Sequence, residues 1–196
     1  MLIQHERLLK TPVMSLQTGA ELARTHKILV DPRDLTIVAY ELEGNMLDQH
    51  PSFLRPVDVR ELSNLGLIVD SSDEFVALDD VIRVKQVYEY DFDLIGLDVF
   101  DDRKKKLGKV HGFTIDSSSF VVQQIVVKRP LFKSFGDTEL LINRTQIVEV
   151  RDTYVKVRSS AQTSSEPVKN LSREFTNPFR AGSVQPEAIN SETRWP

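Results

Sequence analysis

Residues 21–31, Glu-Leu-Ala-Arg-Thr-His-Lys-Ile-Leu-Val-Asp, return 85 positions later at 106–116 as Lys-Leu-Gly-Lys-Val-His-Gly-Phe-Thr-Ile-Asp. The register continues beyond the aspartates. The β-rich run 35–42 meets an equally β-rich run at 120–127, and 53–62 resembles 140–150 with one slip. A repeat of this length restricts the fold to two copies of one supersecondary unit. In each copy the pattern predicts a strand, a polar turn, two strands joined tightly, another strand and a closing strand. These fall at 13–17, 23–30, 35–43, 53–62 and 66–70, then at 95–100, 108–115, 120–128, 139–150 and 153–158. Turn formers stand at the joints: Thr18-Gly19, Asp31-Pro32-Arg33-Asp34, Asp70-Ser71-Ser72-Asp73, Asp116-Ser117-Ser118-Ser119 and Phe135-Gly136-Asp137. Many short strands at this spacing predict a small closed or partly closed barrel, because closure removes aggregation-prone edges. Between the copies, apolar residues within 78–88 fit a short helix better than a strand.

Several function classes drop out on composition. No window approaches eighteen apolar residues and no secretion signal opens the chain, so neither a membrane span nor export is expected and the cytoplasm is the expected location. Zero cysteines remove disulfides, thiolate nucleophiles and cysteine-based zinc sites. From Ser159 to Pro196 the chain is rich in Ser, Thr, Asn, Glu and Pro, a composition expected to stay disordered, with Phe175–Phe179 as a possible short docking segment.

Charge is unevenly spread. Residues 1–102 carry a net −11 and residues 103–158 a net +7. The basic part centres on Lys104, Lys105, Lys106, Lys109, Lys128, Arg129 and Lys133, with Phe132 and Phe135 interleaved. Such a face could bind single-stranded RNA through stacking and phosphate contacts. It could equally meet the acidic first copy or an acidic protein partner, and hairpin lysines also guard strand edges.

The Lys104–Asp116 stretch is not a phosphate loop. A Walker loop ends in Gly-Lys-Ser/Thr at a helix N-terminus, whereas Gly108-Lys109-Val110 opens a strand, with Gly108 allowing a turn or bulge. His26 and His111 share one repeat position, and strict alternation puts them on the apolar side with Ile28 and Val30, and with Phe113 and Ile115. A pair of histidines could titrate or ligate a metal, but spacing pins no third ligand to them, so no metal is expected. Asp91, Asp93, Asp98, Asp101 and Asp102 read as an exposed face, and Asp31 and Asp116 as turn residues that accept backbone N–H groups. The Ser117–Ser119 run has no histidine in a nucleophile setting. No catalytic constellation or cofactor motif emerges, so an enzyme is not expected, a metal or small-molecule enzyme using His26 and His111 being the least favoured alternative.

Leu107-Gly108-Lys109-Val110, the apolar strand ending in Asp116, Phe120-Val121-Val122 with Ile125-Val126-Val127, and Ile147-Val148-Glu149-Val150 together resemble the PRC-barrel family. That family is similar to the cytoplasmic part of reaction-centre H subunits and to the C-terminal half of the ribosome-maturation factor RimM. Residues 13–31 carry the same pattern, with Ala23 in place of the usual glycine. The resemblance implies an all-β fold of two tandem small barrels with short helical connections and a disordered tail. The domains would be 1–93, 94–158 and 159–196. It further implies a non-catalytic adaptor docking a protein partner or complex, or alternatively a RimM-like RNA- or ribosome-associated module. The two copies would pack as a pseudo-dimer within a monomeric chain, since a lone barrel of ~70–80 residues has a marginal core.

Overall fold

The sequence repeat reappears as a repeat in strand pairing. In the computed structural model of the chain, residues 1–129 and 139–158 are described, and all belong to the unit Met1–Ser160. In the first copy, β2 (Pro12–Ser15), β3 (Glu21–Asp31), β4 (Thr36–Glu43) and β5 (Ser52–Leu54) pair antiparallel in succession. There β6 (Glu61–Ser63) pairs antiparallel with β7 (Gly66–Val69), which returns parallel to β2. The second copy repeats every one of these pairings. Its strands are β9 (Asp98–Asp101), β10 (Lys106–Asp116), β11 (Val121–Lys128), β12 (Glu139–Asn143), β13 (Ile147–Val150) and β14 (Tyr154–Val157), with β14 parallel to β9. Among the described residues, two strands and the α-helix have no counterpart in the other copy: β1 (Leu2–Gln4) on β10, β8 (Phe75–Ala77) on β5, and α1 (Ile82–Tyr90).

Closure of the barrels is not what the hydrogen bonds draw. The strands form one connected, open sheet whose main path ends at β13 on one side and β6 on the other. The expected single strands 53–62 and 139–150 are each broken by a 3-10 turn, Pro56–Asp58 and Arg144–Gln146. Pro56 has no N–H for a ladder, and Asn143 and Gln146 form a reciprocal capping box, so each chain turns off its neighbour before β6 or β13 begins. The helix expected over 78–88 starts at Ile82 and runs to Tyr90, where Asp91 in the left-handed region (φ 48°) ends it. Ahead of the first expected strand, β1 extends the second copy's sheet, and His5 stacks on Phe113 with ring centroids 4.8 Å apart.

One apolar core runs through both copies, joining Val13, Leu54 and Leu67 to Val99, Ile115 and Ile125. A smaller cluster places Val84 and Val87 of α1 against Leu29, Ala39 and Phe53. This is the one-face spacing of an amphipathic helix.

Bulges recur at equivalent places. Leu22 and Leu107 are the extra residues where β3 meets β2 and β10 meets β9, and His26 and His111 are those where β3 meets β4 and β10 meets β11. An extra residue breaks the two-residue alternation. Both histidines are therefore exposed, contrary to the apolar side that strict alternation assigns them.

Gly108 is fixed by approach, not by flexibility. A Cβ there would lie 2.2 Å from the Lys128 carbonyl oxygen. The first copy has Ala23 at this position and moves the glycine across the ladder, since a Cβ on Gly44 would sit 3.3 Å from Ala23 Cα. Gly108→Ala should cost about 1–3 kcal/mol and lower Tm by about 2–10 °C. Ala23→Gly should cost no more than about 1 kcal/mol in the same calorimetric comparison.

Candidate docking surfaces

Six of the cations singled out by sequence, Lys104, Lys105, Lys106, Lys109, Lys128 and Arg129, gather at one end of the second copy. Asp101, at the end of β9, accepts the backbone N–H groups of Arg103 (2.9 Å) and Lys105 (2.8 Å), holding a tight hairpin with Lys104 at φ 62°. The hairpin lifts Lys104 and Lys105 into solvent. Lys106 and Lys109 instead converge on Asp98, at 2.7 Å and 3.1 Å. Lys106 and then Lys109 hold the Asp98 carboxyl below its ordinary range, despite the opposing pull of burial. Lys104, Lys105, Lys128 and Arg129 form no ion pair with a described residue. Phe132, Lys133 and Phe135 lie outside the described residues.

Register shows what sequence order hides. Lys109 stands directly opposite Lys128 across the β10–β11 ladder, where the first copy has Arg24 opposite Glu43. Like charges so placed cost stability, by about 0.2–1 kcal/mol against a complementary pair. Phe100 pairs with both Lys106 and Lys156, and its ring meets Tyr154 edge-on at 6.2 Å. Phe100, Tyr154 and Lys156 extend the basic face, Phe100 placed by the β9–β10 pairing and the other two by the parallel β9–β14 pairing. The Lys109–Lys128 end is also the far end of its hairpin from the first copy, which meets β11 at Val121. The basic face therefore does not lie against the acidic copy through that junction.

At the junction itself the chemistry is different. Asp31, 1% exposed, is held by Arg33 (2.8 Å) and by Arg83 of α1 (3.0 Å), and Arg83 also reaches Asp34 at 2.7 Å. Hydrogen bonds from the Arg33 guanidinium above all, with its backbone N–H and Arg83, hold the Asp31 carboxyl at about 2. Asp116 at the equivalent turn accepts from Ser118 and Ser119 and is likewise held at about 2, chiefly by the Ser118 hydroxyl. Both aspartates act as the turn residues that the sequence indicates. His26 lies 3.2 Å from Glu43, and among the described residues no group of three His, Asp or Glu could hold a metal ion.

Residues 86–163, from the middle of α1 through β14, match the family model described as PRC-barrel domain. The matched stretch is the second copy, the one with the basic end, and it is this copy that is similar to PRC-barrel domains. PRC-barrel domains are in general non-catalytic interaction modules. No curated protein matches the chain. No helix among the described residues is long and apolar enough to cross a membrane.

Two outcomes follow for the charged groups. Lys128→Glu should raise stability by about 0.2–1 kcal/mol in urea unfolding, by placing a complementary charge opposite Lys109. Asp31, with its carboxyl depressed in the folded state, contributes stability that is complete above about pH 4 and is lost as pH falls towards about 2. Asp31→Asn should remove on the order of 1–2 kcal/mol at pH 7 and flatten the stability profile over that window, the exposed guanidiniums limiting the size.

Proposed function

We propose that the chain is a non-catalytic, cytoplasmic docking protein that presents two PRC-like copies as one continuous surface to a protein partner or multi-subunit complex. The observation that carries this reading is the match of residues 86–163 to the PRC-barrel domain. It is supported by residues 12–69 repeating the same strand pairings, and by the single core that fixes the two copies in one orientation. Two coupled copies double the recognition area that one small domain offers. Orientation fixed in advance also lowers the entropy lost on binding.

A second reading, an RNA- or ribosome-associated module, is favoured by one observation. Lys104, Lys105, Lys128 and Arg129 form no ion pair with a described residue, and Lys128 stands opposite Lys109, so their charge is open to a bound polyanion. The two readings separate cleanly. Affinity purification of the tagged full chain from its native cell should bring down a protein in fixed stoichiometry that survives nuclease treatment. On the docking reading, a single-stranded RNA 20-mer binds no tighter than the non-specific range, on the order of 10⁻⁶ M or weaker at physiological salt. Nanomolar RNA binding that falls steeply with salt and vanishes in a Lys104→Glu, Lys105→Glu, Lys128→Glu variant would establish the RNA reading instead.

A further inference from the structure

The repeat makes two equivalent grooves, and they differ. Each lies where the β-turn of one copy faces the last hairpin of the other. The groove between the Asp31–Leu35 turn and β13 has a volume of about 160 Å³ and is lined by Pro32, Leu35, Arg144 and Val148. Its counterpart, between β6 and the turn before β11, has a volume of about 610 Å³. That size is within the range of ligand and peptide sites.

Four features of the larger cleft point to an occupant. Its sides include Ile3 of β1 together with Glu61, Leu62 and Ser63 of β6. β6 ends the sheet and β1 pairs only with β10, so each strand has one edge that pairs with no described strand. Secondly, β13 is blunted by a bulge at Val148, a common way of spoiling an edge, whereas the β6–β7 register is unbroken. Thirdly, the lining includes Tyr40 with Leu67, Ile115 and Phe120. Tyr40 is 0% exposed and its hydroxyl has no hydrogen-bond partner, while the same position in the second copy is Ile125, also 0% exposed. A buried, unpaired hydroxyl is a cost that a hydrocarbon at the same site avoids. Fourthly, Arg7 lines the cleft and pairs with no described acid, and Leu65, 70% exposed, follows at the β6–β7 turn.

We infer that this cleft receives an extended segment of a partner protein, added as a strand along β6, with alternate apolar side chains turned into the cleft, a polar group meeting the Tyr40 hydroxyl and an acidic residue meeting Arg7. Strand addition takes affinity from backbone hydrogen bonds and specificity from the pockets that receive alternate side chains. The inference rests on the docking reading and names the place and chemistry of the contact.

The test uses the full chain against a phage-displayed library of random ten-residue peptides, followed by amide hydrogen exchange with a selected peptide bound. The expected result is an apolar-alternating, acid-containing consensus and slowed exchange at Glu61–Ser63 and at Ile3. Tyr40→Phe should keep or raise Tm yet weaken that peptide at least threefold. Slowed exchange confined to the Asp101–Lys106 hairpin would overturn the cleft assignment and leave the docking reading intact. An apolar dye such as anilinonaphthalene sulfonate slowing exchange at Ile3 and Glu61–Ser63, with no peptide selected from the library, would also overturn it, since the cleft would then be a small-molecule cavity. Equal peptide affinity in Tyr40→Phe would overturn the role given to the hydroxyl.

Discussion

Two reciprocal backbone hydrogen bonds hold the architecture together. The Ile37 N–H donates to the Phe120 carbonyl at 2.8 Å, and the Val122 N–H donates to the Leu35 carbonyl at 2.9 Å. Each partner is the repeat equivalent of the other. Both carbonyls belong to residues in the left-handed region, Leu35 at φ 57° and Phe120 at φ 54°, and each turn is closed by an N–H to the carbonyl of its aspartate. A bulky residue with positive φ is strained by about 1–3 kcal/mol, and such strain persists only where surrounding contacts over-determine it. Here the strain aims the two carbonyls across the junction. It turns two short sheets into one, with a shared core behind them.

Because the scaffold is common, the differences between copies carry the functional information. Arg24 opposite Glu43 becomes Lys109 opposite Lys128, and Tyr40 becomes Ile125. None of these exchanges alters a pairing. Each alters a surface or groove: a basic end on the second copy, and Tyr40 in the wide cleft beside β6. Fold similarity alone is silent on such points, since small barrels serve unrelated roles.

Much of this was legible in the chain. The 85-residue offset located the long hairpins, and Asp31 and Asp116 announced their turns. Gly108 was legible as a backbone requirement, although the reason, a carbonyl 2.2 Å from where its Cβ would be, needed the neighbouring strand. Other features were hidden for physical reasons. Alternation misplaced His26 and His111 because one inserted residue reverses every face beyond it. Pro56, with no N–H to give a ladder, was the available sign that 53–62 could not be one strand. β1 is three residues long, too short for any periodicity, and its partner lies more than a hundred residues away. The opposition of Lys109 and Lys128, and the placement of Phe100 against Lys156, depend on register between strands, which no single stretch of sequence encodes.

Native-state amide exchange at Ile37 and Val122 tests the central claim most directly. If the two copies form one cooperative sheet, these junction amides open with the same free energy as those of the flanking strands β3 and β10, to within about 1 kcal/mol. Exchange at the junction near the rate of an unprotected loop, with β3 and β10 still protected, would mean that the copies move independently and would contradict a single fixed surface.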